Sequence, residues 1–477
     1  MEHEEHPGKT TLKKAVSSKS VWAISLGAIV GSGCFIMPGD LLQEGGPIGV
    51  AVGLLFGAAT MLFIGHNICT LVEHFPVAGG TFAFTYAMCN PYHAYICGWM
   101  ISLGFVGCIA LNASALSVVI KFIAPSLVNW GYLYTVAGWQ VYVPEILISS
   151  LIVLLFGYLN FKGNKLAGHL QFFMVLCLIA AVLSIAIGTL CCKQTTYENL
   201  LPPFAPDKGT WGSIAAVIAM APWIFTGFET IPQSAEEHNF SPQKTHFLMI
   251  GSIMIGALAF MTMTLATALP QPWMDTVGRG YIWPTGTIMQ MSLGKVGVGF
   301  LAAAICLGIF SCINGLYIAS SRLLLSMGRA RMLPACFAKV NPHYCTPGAA
   351  TLLVMSVVLV APWFGRQVIS WIVDMCSVGT AIGYLYACVS AYRVCGRQHA
   401  GVKDKAFSII GIGLAAVFLA LLFIPASPGA IGKESGIALI VWVALGAVFF
   451  CTSIGRMNRT PRTERVKDVL GDWGNYI

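Results

Sequence analysis

Charged residues are scarce in this chain. They make up 10% of its 477 residues, whereas hydrophobic residues make up 57%. Soluble domains carry about 25% charged residues, so this chain lacks the charge needed to cover a water-facing surface. The composition therefore excludes an ordinary soluble protein and indicates a membrane protein.

Long polar segments are missing as well. Apolar residues fall in runs of about 20, the length of an α-helix that crosses ~30 Å of hydrocarbon. The connections are short, so we expect one transmembrane domain at 21–455 between a tail at 1–20 and a tail at 456–477. The first residues are polar and show no signal peptide. The runs predict an all-α polytopic membrane protein with twelve spans, at residues 21–44, 47–71, 94–122, 142–160, 167–190, 212–236, 245–268, 295–323, 348–364, 368–392, 406–424 and 435–455.

The basic residues are distributed unevenly. With the N-terminus in the cytoplasm, twelve spans place 20 of the 27 Lys and Arg residues on the cytoplasmic side. This bias is typical of helical membrane proteins, so the net charge of +8 does not indicate nucleic acid as a partner. The even number of spans predicts that both termini are cytoplasmic, in a plasma or inner membrane.

Cysteine motifs that hold a metal are also missing. The chain has 16 cysteines, and none forms a C-x-x-C pair with metal-ligand spacing. Most lie alone inside apolar runs, where cysteine acts as a small packing residue. We therefore expect no metal and no cofactor. The role of the vicinal pair Cys191 and Cys192 stays open.

The first span contains residues that weaken a helix at its middle. Gly31, Ser32 and Gly33 lie there, and Pro38 suits the first turn of a restarted helix. A broken backbone at membrane depth is tolerated only where protein, water or a ligand satisfies its polar groups. The alternative is a small-residue packing face at Gly27 and Gly31.

The sixth span repeats the pattern. Gly227 lies between Pro222 and Pro232, and Glu229 places an acid at membrane depth. The chain divides into 21–190 and 212–393, each with five spans of which the first is broken. An odd number of spans gives the two repeats opposite orientations, and paired broken helices mark a transport site at the membrane centre. This arrangement is a LeuT-type 5+5 inverted repeat, followed by spans eleven and twelve at 406–455.

Four segments give the chain a family resemblance. It resembles the amino acid–polyamine–organocation (APC) superfamily of permeases over nearly its whole length, in segments that occur in the family's order and spacing. The segments are G-S-G-C-F at 31–35, F-P-V-A-G-G at 75–80, F-T-G-F-E at 225–229 with A-E-E at 235–237, and S-R-L-L to F-A-K-V-N-P at 321–342.

The resemblance implies a substrate site at the two breaks. The N–H groups of Ser32, Gly33 and Cys34 would bind a substrate carboxylate at the positive end of a helix dipole. Carbonyls around the breaks suit an ammonium or a coupling cation, and they belong to Ile29, Val30, Phe225 and Thr226.

Two further side chains are substrate candidates. Trp223 lies at the offset of the family's aromatic gate, although a packing or lipid-facing Trp is the alternative. Asn112 in the third span either reaches the substrate or joins two helices, since a mid-membrane Asn commonly does the latter.

Three residues are candidates for coupling. Glu229 and Asp374 are intramembrane acids, which are costly and usually functional, although Asp374 also fits a solvated position near the start of its span. Ser311 is a candidate sodium ligand. Some proton-driven relatives carry a Lys in the fifth span, where this chain has Leu178. Sodium, proton and exchange therefore all stay open.

These features predict a secondary active transporter of small amino acids or amines that works by alternating access. A sensor built on a transporter fold is an alternative. An integral membrane enzyme is a weaker one, because Gly31-Ser32-Gly33 is not a G-x-S-x-G elbow and no His lies in the other broken span. The expected partners are a small-molecule substrate, a possible coupling Na⁺ or H⁺, and the lipid bilayer.

Overall fold

The structure is a computed structural model that describes residues 14, 16–136, 138–163, 167–365, 368–397, 401–471 and 473. Seventeen α-helices lie in this part of the chain. Their bounds are α1 Ser18–Val30, α2 Gly33–Ile36, α3 Pro38–His74, α4 Gly80–Met88, α5 Pro91–Ile123, α6 Val143–Lys162, α7 Ala167–Leu190, α8 Gly209–Ile224, α9 Thr230–Gln233, α10 Lys244–Ala268, α11 Trp273–Gly278, α12 Pro284–Arg329, α13 Gly348–Val358, α14 Val368–Arg397, α15 Val402–Phe423, α16 Lys433–Arg459 and α17 Arg462–Leu470.

The apolar helices have the length that a membrane requires. Ten helical stretches of the described chain are long and apolar enough to cross one, and two shorter apolar helices lie at Gly209–Ile224 and Gly348–Phe364. Two of the longest helices are kinked at glycines with non-helical backbone angles, Gly46 in α3 and Gly294 in α12. These kinks fall next to the expected limits of spans one, two and eight. The chain is a polytopic helical membrane protein.

The expectation of an all-α fold was wrong in one place. The loop after α5 forms an antiparallel hairpin of β1 (Tyr132–Val136) and β2 (Trp139–Tyr142). Its residues are aromatic and β-branched, which favours strands. The segment is short and mixed in polarity, so the hydropathy pattern carries no sign of the hairpin. The ammonium of Lys121 at the end of α5 lies 4.1 Å from the centre of the Trp139 ring and 2.7 Å from the carboxylate of Glu145, which holds the hairpin onto the helices.

The site helices lie at the centre of the bundle. α5 packs against α12 and α14, while α1 packs against α7, α10 and α12. α3 packs against α8 and α10. In contrast, α16 turns most of its side chains outward. The interrupted helices are thus enclosed by other helices, where their free backbone groups can find partners.

One end of the bundle collects the described parts of both termini. The backbone N–H of Val16 donates to the carbonyl of Glu237 at 3.0 Å, and that of Asn239 donates to the carbonyl of Val16 at 3.1 Å. At the same end, Arg331 pairs with Asp468 of α17 at 3.0 Å. We call this end the N-terminal face.

Ion pairs join the loops of the N-terminal face. Arg322 donates to both carboxylate oxygens of Glu237, at 2.7 and 3.2 Å, and Arg329 donates to Glu236 at 2.9 Å. Both arginines lie near the end of α12, and both acids follow α9. Paired, largely buried charges of this kind fix the geometry of the groups that carry them.

Candidate functional site

The first break separates α1 from α2. α1 ends at Val30, α2 begins at Gly33, and Gly31 adopts φ +41°, a conformation that favours glycine. A Cβ at Gly31 would lie 3.2 Å from Oδ1 of Asn112 and 3.4 Å from Cys312. The helix therefore stops where the sequence places its small residues, and α5 and α12 approach the break closely.

The second break separates α8 from α9. Residues 225–229 lie between the two helices, and Gly227 adopts φ +142°. A Cβ at Gly227 would come within 2.7 Å of the backbone nitrogen of Ile29 and 2.9 Å of the backbone carbon of Ala28. Only a glycine permits this approach. The two breaks are consequently in direct contact.

Asn112 of α5 binds the first break. Its Oδ1 accepts hydrogen bonds from the backbone N–H of Ser32 at 2.9 Å and from the hydroxyl of Ser32 at 2.8 Å. Its amide donates to the carbonyl of Cys108 at 2.8 Å and to Sγ of Cys312 at 3.2 Å. A side-chain oxygen from another helix thus satisfies a donor that the break leaves free.

A small cavity of about 20 Å³ lies beside the two breaks. Its size is that of roughly one water molecule. Of the expected substrate residues, Ile29, Gly31, Gly33, Asn112, Trp223 and Thr226 line it. Phe260 of α10 also lines it, together with Cys108, Leu111 and Cys312. Ala28 and Ile224 complete the lining. Sequence reasoning missed these six residues, because an apolar residue in an apolar helix carries no sign of facing a cavity.

Trp223 covers one side of the cavity. It is 5% exposed, so it does not face lipid. Its ring lies 3.4 Å from the position of a Cβ on Gly33, and its centroid lies 6.4 Å from that of Phe260 in an edge-on arrangement at 79°. The aromatic pair closes the cavity on the side of α8 and α10.

The other expected binding residues are buried at the breaks, outside the set that lines the cavity. Glu229 is 2% exposed, and one of its carboxylate oxygens accepts the backbone N–H of Gly227 at 2.9 Å. The other oxygen accepts the hydroxyl of Tyr384 from α14. The Tyr384 ring stacks on Phe228, with centroids 5.6 Å apart. No sequence pattern pointed to Tyr384, since it lies 155 residues from Glu229. The remaining residues of this group are Val30, Ser32, Cys34, Phe225 and Gly227.

The other two coupling candidates lie apart from the cavity. The backbone carbonyl of Ser311 accepts the side-chain amide of Gln171 at 3.0 Å, and its hydroxyl accepts the same amide. Asp374 accepts the Ser435 hydroxyl at 2.6 Å and the Gly432 N–H at 3.3 Å, so it ties α14 to the start of α16. Among the described residues, no group of three His, Cys, Asp or Glu side chains could hold a metal ion.

Membrane-crossing helices around two broken segments and an enclosed cavity define a multi-pass membrane transport protein. The sequence model of the amino acid permease family matches residues 16–450. The chain therefore belongs to the amino acid permease family, and its resemblance to the APC superfamily is confirmed.

Curated relatives match over similar lengths. The branched-chain amino acid permease BcaP of Lactococcus lactis is 25% identical over 408 residues, which cover 83% of this chain and 85% of that protein. The BcaP of Bacillus subtilis is 23% identical over 469 residues, 93% of each chain. The methylthioribose transporter of Bacillus subtilis is 22% identical over 465 residues, 92% of this chain and 93% of that protein.

Proposed function

We propose that this permease is a secondary active transporter of small neutral amino acids that works by alternating access. The observation that carries the proposal is the contact between the two breaks, where Gly227 touches the backbone of Ala28 and Ile29 next to a cavity. In the proposal, twelve spans form a LeuT-type inverted repeat, 21–190 and 212–393, with two added spans. Both termini lie in the cytoplasm, because the basic residues collect on that side.

The first break supplies a site for the substrate carboxylate. The N–H of Ser32 points to an oxygen of Asn112, which is an uncharged acceptor. A carboxylate is a stronger acceptor for backbone N–H groups than an amide oxygen is. The substrate would therefore displace the Asn112 side chain. Asn112 would join two helices before the substrate enters and reach the substrate afterwards, so both interpretations of this residue hold at successive stages of transport.

The cavity must expand before it holds an amino acid. Its volume of about 20 Å³ is enough for water but not for a side chain. Trp223 and Phe260 contact each other where they close one side of it. We propose that these two rings separate when the substrate enters and that Trp223 acts as the lid.

The lining favours a neutral side chain. Among the described residues that line the cavity, none is charged, and Leu111, Phe260 and Ile29 are apolar. A lysine or arginine side chain would lose its hydration there without a partner, which is costly. Branched-chain amino acids, the substrates named for two relatives, fit this chemistry.

Glu229 is the residue we propose for proton coupling. It is buried beside Gly227 at the second break, and Tyr384 and the Gly227 N–H hold it in place. Ser311 is the weaker candidate for a sodium ligand, because both of its oxygens already accept the Gln171 amide. An intramembrane acid that can gain and lose a proton is a usual part of proton-coupled carriers.

Substrate counterflow in proteoliposomes tests the function. Vesicles loaded with leucine, alanine, lysine, a small amine or methylthioribose are diluted into radiolabelled substrate. We expect counterflow with leucine or alanine and none with lysine. Counterflow with lysine alone would contradict the neutral site, and counterflow with methylthioribose alone would exclude amino acids. A sensor or an enzyme would show no counterflow at all.

Accessible tags test the topology. Tags placed after Lys14 and after Lys467 should both react only from the cytoplasmic side. One tag that reacts from outside would contradict the twelve spans and the inverted repeat together.

A further inference from the structure

A chain of four ionisable side chains lies at the N-terminal face, outside the substrate site. Nδ1 of His66 in α3 and Nε2 of His246 in α10 are 2.9 Å apart. Nε2 of His66 lies 3.9 Å from the carboxylate of Asp404 in α15, and Nδ1 of His246 lies 3.9 Å from that of Glu73. The order is therefore acid, imidazole, imidazole, acid. These are the ionisable groups whose charges act on His66.

We propose that His66 and His246 form a binding site for one proton, and that the bound proton clamps α3, α10 and α15 together and slows transport. The proposal goes beyond the assignment of Glu229, because it concerns a separate cluster and can be tested without substrate.

Counting hydrogens shows why one proton is required. Two neutral imidazoles have two N–H groups, and one of these forms the hydrogen bond between the rings. The second N–H can face only one of the two carboxylates, so the other carboxylate meets a lone pair. Nε2 of His66 is buried and has no hydrogen-bond partner. One added proton gives both outer nitrogens an N–H, so that each faces a carboxylate 3.9 Å away.

The same geometry excludes a second proton. Two protonated imidazoles would direct N–H groups at each other across 2.9 Å. This contact would place like charges and two donors together without an acceptor. The pair therefore takes up one proton where two separate histidines would take up two, in the pH range where histidine titrates.

The clamp joins α3 and α10, which pack against the helices of the substrate site, to α15, which lies outside that site. α3 packs against the broken helix α8, α10 packs against α1, and α15 packs mainly against α14. The His66 ring also packs on Phe407 of α15, with centroids 4.6 Å apart. With the proton bound, a positive charge shared by the two rings attracts Asp404 on α15 and Glu73 on α3. Movement of α3 and α10 against α15 then becomes harder.

Imidazole NMR of the full chain in nanodiscs tests the proton site directly. With labelled histidine, we expect the two rings to take up one proton in total between pH 8 and pH 5. In His66→Gln and in His246→Gln, the remaining ring should take up a proton without the limit that its neighbour imposes. His74→Gln is the matched control, because Nδ1 of His74 contacts the Thr70 carbonyl of its own helix at 2.6 Å. Two rings that each take up a proton independently in the wild type would overturn the proposal.

Counterflow tests the clamp. Acidifying the N-terminal face from pH 8 to pH 6 should slow the wild type and His74→Gln about fivefold, since a histidine site fills in this range. His66→Gln and His246→Gln should lose this slowing, and the double variant should behave like either single one. Slowing that persists in both single variants would overturn the clamp. If no substrate gives counterflow, the proposed function fails while the NMR titration still decides the proton site.

Discussion

The two breaks satisfy their backbone donors in different ways. At the first break, the Ser32 N–H binds Asn112, a side chain from a different helix 80 residues away. At the second break, the Gly227 N–H binds Glu229, only two residues away, and Tyr384 fixes that carboxylate. A partner on another helix can be displaced by a ligand, whereas a partner in the same turn moves with the break. This difference supports the proposed division of roles, with substrate recognition at the first break and coupling at the second.

Substituting the glycines should have the largest effect. Gly31→Val and Gly227→Val each place a branched side chain in a left-handed conformation, which costs on the order of 1–3 kcal/mol, and in contact with neighbouring atoms. We expect counterflow and substrate binding to be lost in both variants while the protein still inserts. Gly299→Val is the control, because a Cβ there meets nothing within 4 Å. Wild-type counterflow in Gly31→Val would favour the packing interpretation of the first span.

In a His66→Gln background, where acid no longer slows transport through the histidine pair, Glu229→Gln should remove the remaining pH dependence of transport. Gln keeps the size of Glu229 and accepts the Gly227 N–H but cannot release a proton. The measurement is counterflow from about pH 5 to pH 8 in both proteins. Tyr384→Phe should also alter the profile, because it removes one hydrogen bond from the carboxylate. Asp374→Asn in the same background is the comparison at a second intramembrane acid, which ties α14 to α16 away from the two breaks. Identical profiles for His66→Gln and His66→Gln/Glu229→Gln would contradict proton coupling at Glu229, and a profile changed only by Asp374→Asn would assign the coupling to Asp374.

Asn112→Asp should weaken substrate binding about tenfold, since an unfavourable charge contact of about 1.4 kcal/mol corresponds to that factor. The new carboxylate still accepts the Ser32 N–H but repels the carboxylate of the substrate. Asn112→Ala, which leaves Ser32 free for the substrate, should have a smaller effect on KM. Counterflow at varied substrate concentration measures both. Unchanged KM in Asn112→Asp would mean that the carboxylate binds elsewhere.

The smallest effect on transport is expected at His238, beyond the second break, where a substitution should change the stability of the fold. This side chain is 7% exposed, its Nε2 lies 3.1 Å from the Ser234 hydroxyl, and burial lowers its pKa to about 4. Because the folded pKa lies below the ordinary value, its contribution to stability is complete above about pH 6.5 and is lost as the pH falls toward 4, by at most about 3 kcal/mol. Thermal unfolding of wild type and His238→Gln across this range measures the loss. If thermal unfolding depends on pH equally in the two proteins, His238 is not the source of the stability lost in acid. The KM of His238→Gln at neutral pH should equal that of the wild type.

The positions of the breaks were accessible from sequence, because glycine, serine and proline act on the backbone of their own segment. α1 stops after Val30, and residues 225–229 separate α8 from α9. The hairpin at Tyr132–Tyr142 was not accessible to the same reasoning, because its strands are too short and too mixed in polarity to give an apolar run.

The partners of the breaks could not be inferred in this way. Tyr384 and Phe260 are ordinary members of apolar helices until α14 and α10 bring them to the second break and the cavity. In α7 the family resemblance pointed only to Leu178, at the position where some relatives carry a Lys, and gave no sign that Gln171, two turns earlier, reaches Ser311.

The sequence by itself determined the membrane environment, the family and the two places where the backbone is interrupted, because hydropathy and glycine content are local properties. Only the tertiary structure decided which side chains meet: Asn112 with Ser32 at the first break, Tyr384 with Glu229 at the second, and His66 with His246 away from both. Each of these pairs joins residues at least 80 positions apart, and their meeting depends on how whole helices pack. The chemistry of the site is therefore set by helix packing, while its location is set by the local sequence.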